Sequence, residues 1–307
     1  MKRLLPLLLV TLLVAAACGG GSSGSGGSSG GSSSGDMSAT DLLKASQVAL
    51  KGAKSASFEL TVAVKLDGNL QGAGAGAALL QGPLSLSLKG QAGKADGPGA
   101  GKFDVHFALN FTGGSFSGEA LSPDGKTAYI QMPTLLGPGW KSIDISKQMS
   151  SSGASGDSTN KSLEQLKALG LDPSKWLKNL TVSTSGSTDT LAADLDFAAL
   201  IADVTALSNS PITPKDQKQL DEFENGIKTA HVSESFDHST HLPSAVSAEF
   251  ALDVPAELQK DASGLTGLDF KVDATFSDWN SDFSVTAPSG ATPLNSGGLF
   301  GGLAPAA

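Results

Sequence analysis

One short stretch limits the possible fold more than any other: Phe103-Asp104-Val105-His106-Phe107-Ala108-Leu109-Asn110-Phe111. Successive side chains of a strand point to opposite faces. Phe103, Val105, Phe107, Leu109 and Phe111 therefore share one face, and Asp104, His106, Ala108 and Asn110 share the other. This is the pattern of an antiparallel strand with one buried side and one wet side. It returns in Phe58-Leu60-Val62-Val64, in Leu84-Leu86-Leu88, in Val246-Ala248-Phe250-Leu252-Val254 and in Leu268-Phe270-Val272-Ala274-Phe276. A sheet assembled from such strands must cover its apolar face, and the function turns on what covers it.

The first residues belong to another environment. Residues 1–17 open on Lys2 and Arg3, run apolar from Leu4 to Val14 and close on Ala15-Ala16-Ala17. That order is the one found in an export signal, and the apolar run is too short for a comfortable membrane span. Cys18 comes immediately after and is the single cysteine of the chain, so it cannot staple an exported domain by itself. Leu13 to Gly19 resembles the lipobox of bacterial lipoproteins, with Ala15 where that pattern prefers Leu. The resemblance implies that Cys18 is lipidated and becomes the mature N-terminus. Two or more acyl chains such as palmitate hold a protein stably on a bilayer, whereas one is marginal. The other reading is an ordinary cleaved signal that leaves a free thiol. Gly19 to Gly35 is Gly and Ser only, a flexible tether for residues 18–35 with a span of about 20–25 Å. Its Gly26–Gly30 match to a nucleophile elbow lacks the flanking strand and helix that such a turn requires.

Charge narrows the ligand class. The formal net charge is −9, and the only arginine, Arg3, lies in the leader. That balance speaks against nucleic-acid binding, and the domain lacks the bidentate clamp used for phosphates and carboxylates. A ligand is then held by apolar contact.

Taken in order, residues 36–288 read as one antiparallel α+β domain of about ten strands and five short helices. The helices are expected over Thr40–Lys51, Leu163–Leu169, Pro173–Leu177, Phe197–Leu207 and from Pro214 to about Asn225. Further strands are expected over Ser115–Leu121, Thr127–Met132, Trp140–Ile145, Leu180–Ser185, Leu191–Asp196 and Ile227–Phe236, and Phe283–Ala287 is expected to end the fold. Ser122-Pro123-Asp124-Gly125-Lys126 has the composition of a tight hairpin turn. Gln71–Gly82 and Lys147–Ser162 read as low-complexity surface loops, Pro133–Gly139 as a loop exposing Leu135 and Leu136, and residues 289–307 as a disordered tail.

The chemistry-bearing residues are few. His231, His238 and His241 lie near Glu234 and Asp237, but Phe236 to Leu242 reads as a hairpin turn where polar residues collect, so no metal site is assigned. His106 is expected to be solvated on the polar face of its strand. Gly156-Asp157-Ser158 faintly resembles a lipase nucleophile block but sits in a polar loop. No catalytic residue, enzyme activity or cofactor is assigned. The apolar stripes are the strong signal. They form either a filled core or the lining of a cavity, and patterning alone does not separate the two.

The order of the elements also resembles the LolA-like lipid-carrier lipoproteins of actinobacteria, of the LppX/LprG type. The resemblance rests on Leu42 to Val64, with Lys54-Ser55-Ala56-Ser57-Phe58; on Asp124 to Ile145, ending Gly139-Trp140-Lys141-Ser142-Ile143-Asp144; on Asp194 to Val204; and on Phe276-Ser277-Asp278-Trp279 through Val285-Thr286-Ala287-Pro288. It covers most of residues 38–288. It implies a strongly curved antiparallel half-barrel with short helices on its concave face, holding an acylated lipid or glycolipid for transport or presentation in the cell envelope. It further implies a protein, expected to be monomeric, anchored through Cys18 on the extracytoplasmic face of a cell membrane. The lining expected from strand alternation is Phe58, Leu60, Val62, Val64, Leu84, Leu86, Leu88, Phe103, Val105, Phe107, Leu109, Phe111, Phe250, Leu252, Phe270, Val272 and Phe276. The alternative is a surface scaffold or sensor domain with a solid core that binds a protein partner.

Overall fold

Alternating strands satisfy their backbone groups only by pairing, and short turns make neighbours in sequence the cheapest partners. A computed structural model describes residues 37–68, 82–94, 101–146, 173–207, 214–259 and 264–294. The signal segment, Cys18, the Gly/Ser tether, most of the Gln71–Gly82 and Lys147–Ser162 loops, the Leu163–Leu169 helix and the end of the tail lie outside the described residues.

The strands are β1 (Ser55–Gly68), β2 (Leu84–Gly93), β3 (Lys102–Phe111), β4 (Gly114–Ser122), β5 (Thr127–Gln131), β6 (Lys141–Asp144), β7 (Leu177–Ser185), β8 (Thr188–Leu195), β9 (Ile227–Asp237), β10 (Pro243–Asp253), β11 (Leu265–Ser277) and β12 (Thr292–Pro293). They form one curved, unclosed sheet of twelve strands in a mostly-β domain with few short helices. The order across it is β12-β6-β5-β4-β3-β2-β1-β11-β10-β9-β8-β7. The sheet is therefore two antiparallel meanders, β1 to β6 and β7 to β11, joined where β1 pairs with β11 from Ser57↔Ser277 to Leu66↔Leu268. Every strand expected between residues 57 and 276 is present.

The helices are α1 (Ala39–Gly52), α2 (Pro133–Leu136), α3 (Phe197–Leu207), α4 (Pro214–Gly226) and α5 (Ala256–Gln259), with a 3-10 turn at Pro173–Trp176. Ser38 caps α1, its Oγ accepting from Asp41 N. The Asp196 carboxylate accepts from Ala199 N and starts α3. The turn after β4 forms as its composition dictates. Asp124 Oδ1 accepts from Lys126 N at 2.8 Å and Thr127 N at 3.0 Å, and Gly125 sits at φ +66°, where a Cβ is disfavoured. Those hydrogen bonds, the one from Thr127 first, outweigh the opposing effect of burial and hold the Asp124 carboxyl below its usual range.

Two details depart from expectation. Pro133–Leu136 is a helical turn within the expected loop, since Pro at its first position needs no hydrogen-bonded N–H. Phe283–Ala287 does not end the fold, and it forms no strand of its own. It belongs to a strap running from Asp278 to Leu294 across the outer, polar face of the first meander. Asn280 N donates to Ser55 O, Lys102 Nζ donates to Phe283 O at 2.6 Å and lies over the Phe283 ring, and Thr292–Pro293 ends in parallel pairing with β6. The sheet thus continues past residue 288, where the domain is expected to end.

Candidate apolar site

Register decides which stripes meet. Across the first meander, Leu60 lies opposite Leu88, Leu88 opposite Phe107, and Phe107 opposite Gly118. One step along, Val62 faces Leu86, Leu86 faces Leu109, and Leu109 faces Phe116. In the other direction Val62 faces Val272, Val64 faces Phe270 and Phe58 faces Phe276. Phe250 lies opposite Phe270, and Leu252 opposite Leu268. Every expected lining residue therefore stands on one continuous inner face.

That face is covered unevenly. In the second meander α3 and the 3-10 turn pack onto it. Trp176, Leu195, Phe197, Leu200, Phe250, Leu252, Val254 and Phe270 form a buried cluster, and the rings of Phe197 and Phe250 lie 5.1 Å apart. Trp176 is held in place by its indole N–H, which donates to Asp203 Oδ2 at 2.9 Å. At the other end of β8 and β9, α1 drives Leu42 between Leu191 and Phe236. Half-buried neighbours extend the first cluster to Val62 and Val64 on β1, and no residue of β2 to β6 joins it. Of the expected lining, Phe250, Leu252 and Phe270 are therefore buried core. The rest, from Phe58 and Leu60 through Leu84, Phe103, Val105 and Phe111 to Val272 and Phe276, is half-buried. Over β1 to β4 the inner face is a broad apolar floor. Gly118 lets the Phe107 ring lie flat on it: a methyl group there would stand 2.5 Å from Phe107 Cζ and 2.9 Å from Met132 Cγ. The Phe111 and Phe116 rings pack beside it at 5.2 Å.

The inner face carries one misfit. Glu234 on β9 lies between Leu191 on β8 and Val246 on β10. It lines a void of about 20 Å³ with Leu177, Leu180, Ala193, Val232 and Ala248. Burial alone pushes its carboxyl up to about 7, with no hydrogen-bond or charge partner opposing the shift. Glu234 stood out in the sequence as a neighbour of histidines. Strand parity, which sets residues 231 and 234 on opposite faces, is the signal that separates it from them.

The histidine group itself disperses. His231 Nδ1 meets Asp194 Oδ1 at 3.1 Å on the outer face, and His238 Nδ1 lies 2.9 Å from Asp189 Oδ2 at the rim of the inner face. Asp237 closes the turn, accepting from the side chains and N–H groups of Ser239 and Thr240. Those bonds, led by the Ser239 hydroxyl, hold its carboxyl down at about 2. Burial works against ionisation of Asp189, but hydrogen bonds from Thr184 and His238 outweigh it and keep the carboxyl below its usual range. His241 also acts on the Asp189 carboxylate, so His238 and His241 flank one acid, while His231, paired with Asp194, lies apart from them. The Gly156-Asp157-Ser158 stretch lies outside the described residues. Among the described residues no helix is long and apolar enough to cross a membrane.

Compared with known proteins, the chain matches no family model and no curated sequence.

Proposed function

We propose that this chain binds an acylated lipid or glycolipid on the inner face of its first meander, and carries or presents it as a cell-envelope lipoprotein anchored through Cys18. The reading includes a half-barrel arrangement with helices on the concave side, as in the LolA-like carriers, working as a monomer on the extracytoplasmic face of the membrane. One observation carries it: large apolar side chains of β1 to β4 align across four strands, yet none of Leu86, Leu88, Phe107 or Leu109 is buried, while the cluster built on Trp176, Phe197 and Phe250 ends at β1. An acyl chain laid across these strands removes both surfaces from water. Each methylene so buried contributes roughly 0.8 kcal/mol, so one long chain suffices for useful affinity.

The test uses the full chain. Native mass spectrometry before and after organic extraction shows a co-purifying lipid mass that extraction removes and added fluorescent fatty acid replaces. A clean apo mass with no uptake overturns the proposal. A second reading, a solid-cored scaffold or sensor that binds a protein partner, draws on the second meander, where the void measures only about 20 Å³, room for about one water. A protein bound by that route takes up no fatty acid.

A further inference from the structure

The outer face of the first meander brings together three side chains that the sequence leaves as ordinary solvated residues. Asp104 and His106 are two apart on β3 and so share a face, and Glu119 on β4 stands directly opposite His106. One ligand-capable atom from each lies within 4.8 Å of the others, and His106 Nδ1 is 4.0 Å from Glu119 Oε2. Asp104 Oδ1 is closed off from solvent and has no hydrogen-bond partner. A carboxylate oxygen left so is a costly arrangement that calls for a missing partner. The nearby cations are engaged elsewhere. Lys89, across from His106, bridges to Glu59 at 3.3 Å, and Lys102 is tied to the Phe283 carbonyl and ring. Beside the three groups opens a cleft of about 500 Å³, lined by Lys89, His106, Ser117, Glu119 and Gln131 among others.

We infer that Asp104, His106 and Glu119 form a binding site for a divalent transition-metal ion of the zinc type. Ligand bonds of about 2.0–2.2 Å require the three donor atoms to close in slightly, which side-chain rotation supplies without moving the paired strands. One imidazole nitrogen with two carboxylates suits zinc better than calcium or magnesium, which take oxygen ligands. Three protein ligands leave a coordination position open, beside a cleft that two of them, His106 and Glu119, line. This site is on the opposite face from the proposed lipid floor and stands or falls apart from it.

Isothermal titration of chelator-stripped full chain with zinc chloride, and cobalt substitution read by its visible absorption, test the inference. One zinc per chain binds, cobalt gives the absorption of a low-coordinate site, and calcium does not compete. H106A and E119Q each weaken zinc by at least about tenfold, and D104N does the same without removing the imidazole. H231A, which removes an imidazole elsewhere on the outer face, leaves binding unchanged. Circular dichroism confirms that each variant is folded. Absence of zinc binding overturns the site, as does binding that survives H106A, E119Q and D104N or disappears with H231A.

Discussion

The two meanders carry the same alternation of apolar and polar residues, yet among the described residues helices cover the inner face of one and not that of the other. In the second, Phe250 and Phe270 meet Phe197, Leu200 and Trp176 and are 7% and 5% exposed. In the first, Phe107 and Leu109 occupy equivalent positions in the alternation and remain half-buried beside a glycine and another phenylalanine. Among the described residues the difference lies in the segments that connect the strands. After β8 the chain supplies Asp196 as a helix cap and then the apolar Phe197-Ala198-Ala199-Leu200, which fold back onto the sheet. After β3 and β4 it supplies tight turns, and after β5 the single helical turn Pro133–Leu136, which leaves Leu135 exposed. Identical strand patterning thus yields a filled core or a free apolar surface according to the connections.

The largest expected effect measures that contrast. F250A removes a ring from a packed cluster and costs about 3–5 kcal/mol in urea unfolding. F107A on the open floor costs about 1 kcal/mol or less, because the ring is already partly hydrated. Equal losses would break the comparison.

Next in size is a pH dependence that belongs to the second meander. The Glu234 carboxyl has its folded pKa raised from 4.5 to about 7, so the folded state holds a proton that the unfolded chain releases. The stability it preserves is present below pH 4.5 and is lost as pH rises through about 7, by at most about 3 kcal/mol. Asp237 acts in the opposite sense and lower down, its contribution disappearing as pH falls toward about 2. Urea midpoints of the wild type therefore decline between about pH 4.5 and 7, and E234Q flattens the slope. A slope unchanged in E234Q would show that another group is responsible.

W176F deletes the indole N–H that reaches Asp203 and leaves part of the buried indole volume empty, and lowers stability by about 2 kcal/mol. At the small end, replacing both Leu135 and Leu136 by Ser changes stability by less than about 0.5 kcal/mol, since Leu135 is more than half exposed. In vesicle assays the same double variant slows lipid transfer. Unchanged transfer would remove α2 from the entry route.

Much of this architecture was legible in the residues. The stripe Phe103 to Phe111 specified a half-buried antiparallel strand, and its repeats located the strands on either side of the β1–β11 junction. Asp124-Gly125 located the turn after β4. The sequence did not reveal that Phe250 and Phe270 are sealed while Phe107 is not, because period-two alternation records which face is apolar and not what lies above it. The Asp104, His106 and Glu119 grouping was equally hidden. Asp104 and His106 read as ordinary polar-face residues, and the third member arrives only through the β3–β4 register. Thr292–Pro293 was obscured by a Gly-, Pro- and Ala-rich context that carries no strand signal, its pairing with β6 being made at long range.

The central claim is that the first meander is the surface that receives an acyl chain. Photocrosslinking with a diazirine-bearing fatty acid, combined with peptide mapping of the full chain, tests this directly. The predicted labels fall on β2 to β4, between Leu84 and Phe116. Labels confined to the α3-covered residues of β8 to β10, or none competed by unlabelled fatty acid, would contradict it.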